Sequence, residues 1–202
     1  MSVEKREIRH AMRQQRRLLS PGAVAAASAA VCAQVRTLPA YATAVAVLAY
    51  LAAENEISVA ALIEEVGTSV RGLYLSHCGA TPAWVRWRPG EPLVPGPGGV
   101  LQPCGVPERP PTPAVALIPV VAWDETGARL GRGGGYYDRI FVERAPGITR
   151  VGLAYEFQCY PALPADPWDV PMQCIITERR IIACAETVRA RDEPLRKGGV
   201  QI

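Results

Sequence analysis

The sequence predicts an α/β domain built on a largely parallel sheet. Three observations lead there. Segments of helical period alternate with short apolar runs along the first 75 residues. The runs are near-continuous in valine, alanine and leucine, as strands covered on both faces are. A glycine-rich segment, Gly131 to Gly135, stands between an apolar strand and a helix-like segment.

The first helix is predicted from Ser2, as its cap, to about Leu19. Ile8 and Met12 lie on one stripe. Lys5, Arg9 and Arg13, spaced four apart with Arg16 close by, share another. No acid on that face relieves the like charges, so it reads equally as a solvated face or as the seat of an anion. Ser20-Pro21 restarts the chain as cap and first helical residue, and the stripe Val24, Ala27, Val31, Val35, Leu38 stops at Pro39. Ala44 to Leu51 is a predicted buried strand. Ser58 is expected to cap a helix over Val59–Val66 that Gly67 ends, and Val70 to Leu75 follows as a strand.

Residues 82–113 hold 10 of the 19 prolines and five glycines. Trp84, Val85 and Trp87 suggest one short strand there; the rest reads as an ordered surface excursion. Later strands are expected at Ala114–Ala122, Thr149–Ala154 and Cys174–Thr177, with Ile181–Cys184 pairing back as a hairpin. Tyr136 to Arg144 reads as helix.

With 202 residues, the chain has room for a single domain, taken as residues 1–185, before a charged, aperiodic tail at 186–202. Its length suffices to bury a core without staples. The longest apolar stretch, Ala42 to Ala53, falls short of the ~20 residues a membrane span needs. Net charge is +3, but residues 1–17 carry +4 of it, leaving −1 for the rest. One basic end suits a local anionic ligand and argues against a nucleic-acid surface. Six cysteines without a C-x-x-C pair or an apolar leader read as reduced thiols of a cytoplasmic protein.

The chemistry concentrates at Leu130–Arg139, L-G-R-G-G-G-Y-Y-D-R. Glycines let backbone N–H groups approach an anion, and Arg129, Arg132 and Arg139 add cations. Asp138 follows at once, a hard oxygen donor suited to a metal on bound phosphates. The loop is neither a Walker A nor a G-x-G-x-x-G motif, since no G-K-[ST] ends it and the third position falls on Tyr136. On the residues alone, Glu56 is a solvated acid after a strand, and Asp169 is a turn residue before Pro171.

This segment, after an apolar strand and V-A-W-D, resembles the signature of the 5-formyltetrahydrofolate cyclo-ligase (5,10-methenyltetrahydrofolate synthetase) family. K-R-E-I-R…R-Q-Q-R-R-L-L-S-P, L-A-A-E-N-E-I, W-R-P-G-E-P-L-V-P-G-P-G-G-V-L-Q-P and V-G-L-A-Y-E-F-Q resemble further family segments in the same order. The resemblance implies one three-layer α/β/α domain of Rossmann-like type. It implies an enzyme that uses ATP and magnesium to close 5-formyltetrahydrofolate into 5,10-methenyltetrahydrofolate. The γ-phosphoryl group goes to the formyl oxygen, and folate nitrogen 10 closes the ring.

By the same resemblance, Lys5, Arg9, Arg129, Leu130, Gly131, Arg132, Gly133, Gly134, Gly135, Tyr136 and Tyr137 bind ATP. Leu51 and Glu56 bind the folate together with Arg132, Gly133, Gly134, Gly135 and Tyr136. Arg132 and Tyr136 are the catalytic pair, and Asp138 and Asp169 hold magnesium. The partners implied are two small molecules, with no nucleic acid and no membrane; a monomer suits a small enzyme of this kind, but nothing in the sequence decides it. The alternative is a paralogue that binds nucleotide and folate without this turnover. Two positions depart from the family pattern. Ser58-Val59 stand where Asp-Thr is common, and Gln173 stands where a second Asp is common.

Overall fold

The computed structural model describes residues 3–79, 81–141 and 146–184. Ser2, the far end of the predicted helix at Tyr136–Arg144, and the tail at 186–202 fall outside them. The chain opens with helices α1 (Val3–Arg17), α2 (Pro21–Thr37) and α3 (Pro39–Thr43). Strand β1 (Ala46–Ala49), helix α4 (Ala60–Gly67) and strands β2 (Gly72–His77) and β3 (Ala83–Arg86) follow. Then come β4 (Leu93–Pro95), β5 (Leu101–Pro103), β6 (Ala114–Pro119), β7 (Ala122–Trp123) and β8 (Arg129–Leu130). Helix α5 (Tyr136–Ile140) and strands β9 (Ile148–Leu153), β10 (Cys174–Ile176) and β11 (Ile181–Ala183) complete the described elements.

Seven strands form one sheet in the order β11-β10-β9-β6-β1-β2-β3. The five inner strands run parallel, and each edge strand is antiparallel to its neighbour. From β1 the chain moves outward to β2, then returns to lay β6 on the other side of β1. The strand order therefore reverses between β1 and β6, which opens a crevice at their carboxyl ends.

Alternation along the strands builds two cores. Val47 and Ala49 of β1 face a cluster made with Val31 and Val35 of α2 and Leu62 and Val66 of α4. Ala46 and Leu48 face the opposite cluster, with Trp84, Trp123, Phe141 and Met172. Among the described residues the second face is covered by α5, by Phe141 just beyond it and by the tryptophans of β3 and β7 rather than by long helices. A third, smaller cluster seats Ile8 and Met12 of α1 against Ala122, Ala128 and Leu130 of the β7–β8 hairpin. No single helix among the described residues is long and apolar enough to cross a membrane.

Ser20 caps α2 as expected, its side chain accepting the Ala23 N–H at 3.2 Å, with Pro21 in the first turn. Four expectations need correction. Helix α4 is capped at Val59 without a side-chain bond. Ser58 stands one position before that cap: its Oγ accepts the Ala60 N–H at 3.4 Å, its backbone N–H donates to Ser28 Oγ at 2.9 Å, and its carbonyl accepts from the Cys32 thiol. The run Ala114–Ala122 divides into β6 and β7 after Pro119, which has no N–H to continue the ladder. The strand expected from Val70 begins at Gly72, and Val70 itself is fully exposed. The proline-rich stretch is more than a surface excursion: β3 edges the sheet, and the β4–β5 hairpin reaches the crevice.

Leu117, at the centre of β6, is fully buried in the first core. Leu117→Ala should lower unfolding free energy by about 2–5 kcal/mol in a urea titration, since neighbouring strands cannot collapse into the void. A loss under about 1 kcal/mol would contradict this packing.

Candidate active site

A cavity of about 490 Å³ occupies the crevice. Tyr50 and Leu51 continue from β1, Ser76 and Cys78 stand at the end of β2, and Pro119 ends β6. The glycine loop crosses the opening between β8 and α5. Gly133 and Gly135 have φ of 103° and 61°, which admits the turn without side-chain strain. Helix α1 closes one side with Lys5 and Arg9, and Arg9 Nε donates to the Gly131 carbonyl at 2.8 Å.

Every residue assigned above to ATP, folate or magnesium lines this one cavity: Lys5, Arg9, Leu51, Glu56, the run Arg129 to Tyr137, Asp138 and Asp169. Their partners are largely one another. Arg132 Nε donates to Glu56 Oε1 at 3.0 Å. Arg129 donates to Asp138 Oδ1 at 2.9 Å and to the Val170 carbonyl at 2.6 Å. Lys5 Nζ lies 2.7 Å from both Asp166 Oδ2 and Asp169 Oδ2. Burial lowers the Lys5 pKa, but the hydrogen bonds and charges of Asp166 and Asp169 outweigh it and hold the ammonium above its ordinary value.

The basic face of α1 is therefore not a solvated one. Lys5 and Arg16 are buried, and acids from distant segments relieve the repulsion that its own sequence leaves. Lys5 meets Asp166 and Asp169, while Arg13, Arg16 and Arg17 converge on Glu54. Nor is Glu56 solvated. It is 6% exposed, and its Oε2 accepts the Ala53 N–H at 3.1 Å. Asp169 does belong to a turn, donating its N–H to the Asp166 carbonyl at 3.0 Å while its carboxylate accepts the Asp166 N–H.

The family model of the 5-formyltetrahydrofolate cyclo-ligase family matches residues 1–178. The chain belongs to that family. A 5-formyltetrahydrofolate cyclo-ligase of Escherichia coli strain K12 is 28% identical over 179 residues, covering 84% of this chain and 98% of the relative. One of Haemophilus influenzae is 32% identical over 131 residues, covering 61% and 70%. The solution structure of Aquifex aeolicus 5,10-methenyltetrahydrofolate synthetase superposes with a TM-score of 0.73 at 30% identity, covering 90% of this chain and 93% of that one.

The acids of this cyclo-ligase family member suit magnesium by their chemistry. Asp138 and Asp169 offer hard carboxylate oxygens to the cavity. Among the described residues no three acidic, histidine or cysteine side chains cluster as a complete cage. Two carboxylates that leave the remaining positions to phosphate and water are what magnesium ordinarily takes. Gln173 does not line the cavity; its side chain accepts the Arg150 N–H at 2.9 Å and its own N–H donates to the Arg150 carbonyl, tying the start of β10 to β9.

Several cavity residues escaped the sequence reading. Pro97, Val100 and Leu101 supply an apolar wall from the β4–β5 hairpin, and Gln102 braces it by accepting the Cys78 N–H at 2.8 Å. Only the long-range pairing of that hairpin beside β2 brings them here. Asp166 and Trp168 lie beside Asp169, and Tyr137 and Ser76 line the cavity together. Burial raises the Tyr137 hydroxyl pKa well above its ordinary value, so it stays protonated at neutral pH. Arg139 is a brace as well as a cation, donating to the Gly134 carbonyl at 2.8 Å and lying over the Tyr136 ring.

Burial pushes the Glu54 carboxyl up, but the Arg13 hydrogen bonds and the neighbouring arginines outweigh it and hold its pKa below the usual range. A depressed folded pKa gives stability that is present above about pH 4.3 and lost as pH falls through the folded value. Glu54→Gln should lower the unfolding free energy at pH 7, read from a denaturant titration, by no more than about 1 kcal/mol for so exposed a pair. The gap to wild type should close below pH 4; a gap that persists there would contradict the pairing.

Proposed function

We propose that this protein catalyses the ATP- and magnesium-dependent closure of 5-formyltetrahydrofolate to 5,10-methenyltetrahydrofolate, releasing ADP and phosphate. The Arg132–Glu56 contact carries this reading. It joins a cation on the glycine loop to a carboxylate beyond β1, within a cavity of about 490 Å³ that can bring the reacting ends of two ligands together. A phosphate site and a folate site that share one ion pair are close enough for group transfer. Family membership and the names of the relatives support the same activity.

Glu56 accepts the two adjacent N–H donors of the pterin's amino-pyrimidinone edge, and Leu51 packs on the ring. Pro97, Val100 and Leu101 cover the less polar remainder of the folate. Lys5, Arg9 and the loop from Arg129 to Tyr137 hold the nucleotide phosphates. Binding exchanges partners: Lys5 leaves Asp166 and Asp169 for phosphate, and Arg132 leaves Glu56 for the transferring group. Asp138 and Asp169 would hold magnesium, which supplies neutralisation of phosphate charge.

The formyl oxygen takes the γ-phosphoryl group as the bond from phosphorus to the ADP oxygen breaks. Arg132 faces the charge that develops between them, and Tyr136 orients the formyl end. Nitrogen 10 then attacks the formyl carbon and loses its proton. The carbon–oxygen bond breaks, phosphate leaves, and the amidinium of the methenyl bridge remains. A phosphorylated oxygen is a good leaving group, so no protein nucleophile is needed. His10 and His77 do not line the cavity. On this reading the enzyme acts on two soluble small molecules in the cytoplasm, with neither nucleic acid nor membrane as partner.

Purified protein mixed with 5-formyltetrahydrofolate, magnesium and ATP should show near-ultraviolet absorbance of the methenyl product, and only with all three present. Arg132→Ala should lower kcat by at least about 10³-fold, the range of a transition-state arginine. A flat trace from wild-type protein that still binds ATP would favour a paralogue with another acyl substrate.

A further inference from the structure

Arg16 is the most deeply buried cation of α1, with 1% of its side chain exposed. Its Nε donates to the Glu54 carbonyl at 2.8 Å. Its Nη2 is buried and has no hydrogen-bond partner. That nitrogen lies 3.7 Å from Glu56 Oε1 and 3.6 Å from Glu54 Oε2. A buried guanidinium nitrogen left unsatisfied is costly, and this one points toward the carboxylate assigned to the substrate.

The backbone around it is shaped for the same purpose. Glu54 and Asn55 have φ of 51° and 58°, two consecutive left-handed residues that are not glycine. Helix α1 holds them there. Asn55 Nδ2 donates to the Arg16 and Leu19 carbonyls at 3.2 and 3.3 Å, and Arg13 grips the Glu54 carboxylate. Tyr155 donates its hydroxyl to the Asn55 carbonyl at 2.9 Å from the other side. The turn aims Glu56 into the cavity.

Two guanidiniums thus converge on one oxygen of Glu56. Arg132 lines the cavity and is one-third exposed; Arg16 does not line it. The reaction proposed above, on which this inference rests, requires Arg132 to leave Glu56 for the phosphoryl group. A carboxylate only 6% exposed would then lose its hydrogen-bonded cation. Arg16 Nη2 needs to close by only about 0.8 Å to reach charge-assisted hydrogen-bond distance.

We infer that Arg16 is a positioning residue, the standing counter-ion of Glu56, which keeps that carboxylate paired and aimed at the folate while Arg132 departs. It touches neither ligand and acts through Glu56. Its unpartnered nitrogen is the donor held ready for that exchange.

The test measures KM, kcat and separate dissociation constants for 5-formyltetrahydrofolate and ATP. It compares wild type, Arg16→Met, Arg16→Lys, Glu56→Gln and the Arg16→Met/Glu56→Gln double variant. Arg16→Met should weaken folate binding and raise folate KM at least about tenfold, with ATP affinity within about twofold and kcat within about threefold. Arg16→Lys should stay within about threefold of wild type for folate, because the charge remains. The double variant should bind folate no worse than Glu56→Gln alone, the non-additivity expected of a residue that acts through its partner.

Parallel loss of folate and ATP affinity, additive losses in the double variant, or a lysine variant as poor as the methionine would each overturn the assignment. If Arg16→Met does not fold, the lysine and double variants decide by the same criteria; if the double variant also fails, the lysine variant alone decides. Wild-type protein with neither folate binding nor turnover would overturn the functional reading and this inference together. An active wild type with unaffected Arg16 variants would overturn the inference alone.

Discussion

The Arg132–Glu56 ion pair is the contact on which the arrangement of the cavity depends. It spans the crevice that the reversal of strand order opens between β1 and β6. One partner rides on the glycine loop, and the other on the turn that follows β1. Glu56 is buried, so breaking the pair without a replacement would cost about 3–5 kcal/mol. That penalty gives the pair its logic. A ligand that satisfies Glu56 releases the arginine, and one that does not leaves the arginine held.

The same economy runs through the rest of the site. Lys5 rests on Asp166 and Asp169, and Arg129 rests on Asp138. Cations suited to phosphate are paired with acids suited to a metal or a folate. The cavity is thereby close to neutral without importing counter-ions, and on the proposed reading ligands enter by exchanging partners. Arg16 is the buried member of this network, held between Glu54 and Glu56 outside the cavity.

Much of this was legible in the sequence, for reasons that particular residues make plain. The parallel sheet followed from continuous apolar runs, since strands covered on both faces need no polar alternation. Ser20-Pro21 announced a helix start by local chemistry alone. The glycine loop was visible because four glycines in five positions have few uses. What local reading could not supply was distance. The acids that relieve the charges of α1 lie between 37 and 164 positions away in sequence, at Glu54, Asp166 and Asp169. The apolar wall from Val100 and Leu101 exists only because β5 comes to lie near β2. The division of the run after Pro119 was written in one residue without an N–H. The unaided reading of Glu56 as solvated failed because burial is a property of the packed loop, not of the residue type.

The central claim is that ligands separate Arg132 from Glu56. A structure with 5-formyltetrahydrofolate and a non-hydrolysable ATP analogue bound together tests it most directly. The account predicts Glu56 on the pterin edge, Arg132 on the terminal phosphate, and the two side chains beyond the roughly 4 Å reach of an ion pair. An intact Arg132–Glu56 contact near 3.0 Å, with both ligands in place, would contradict it.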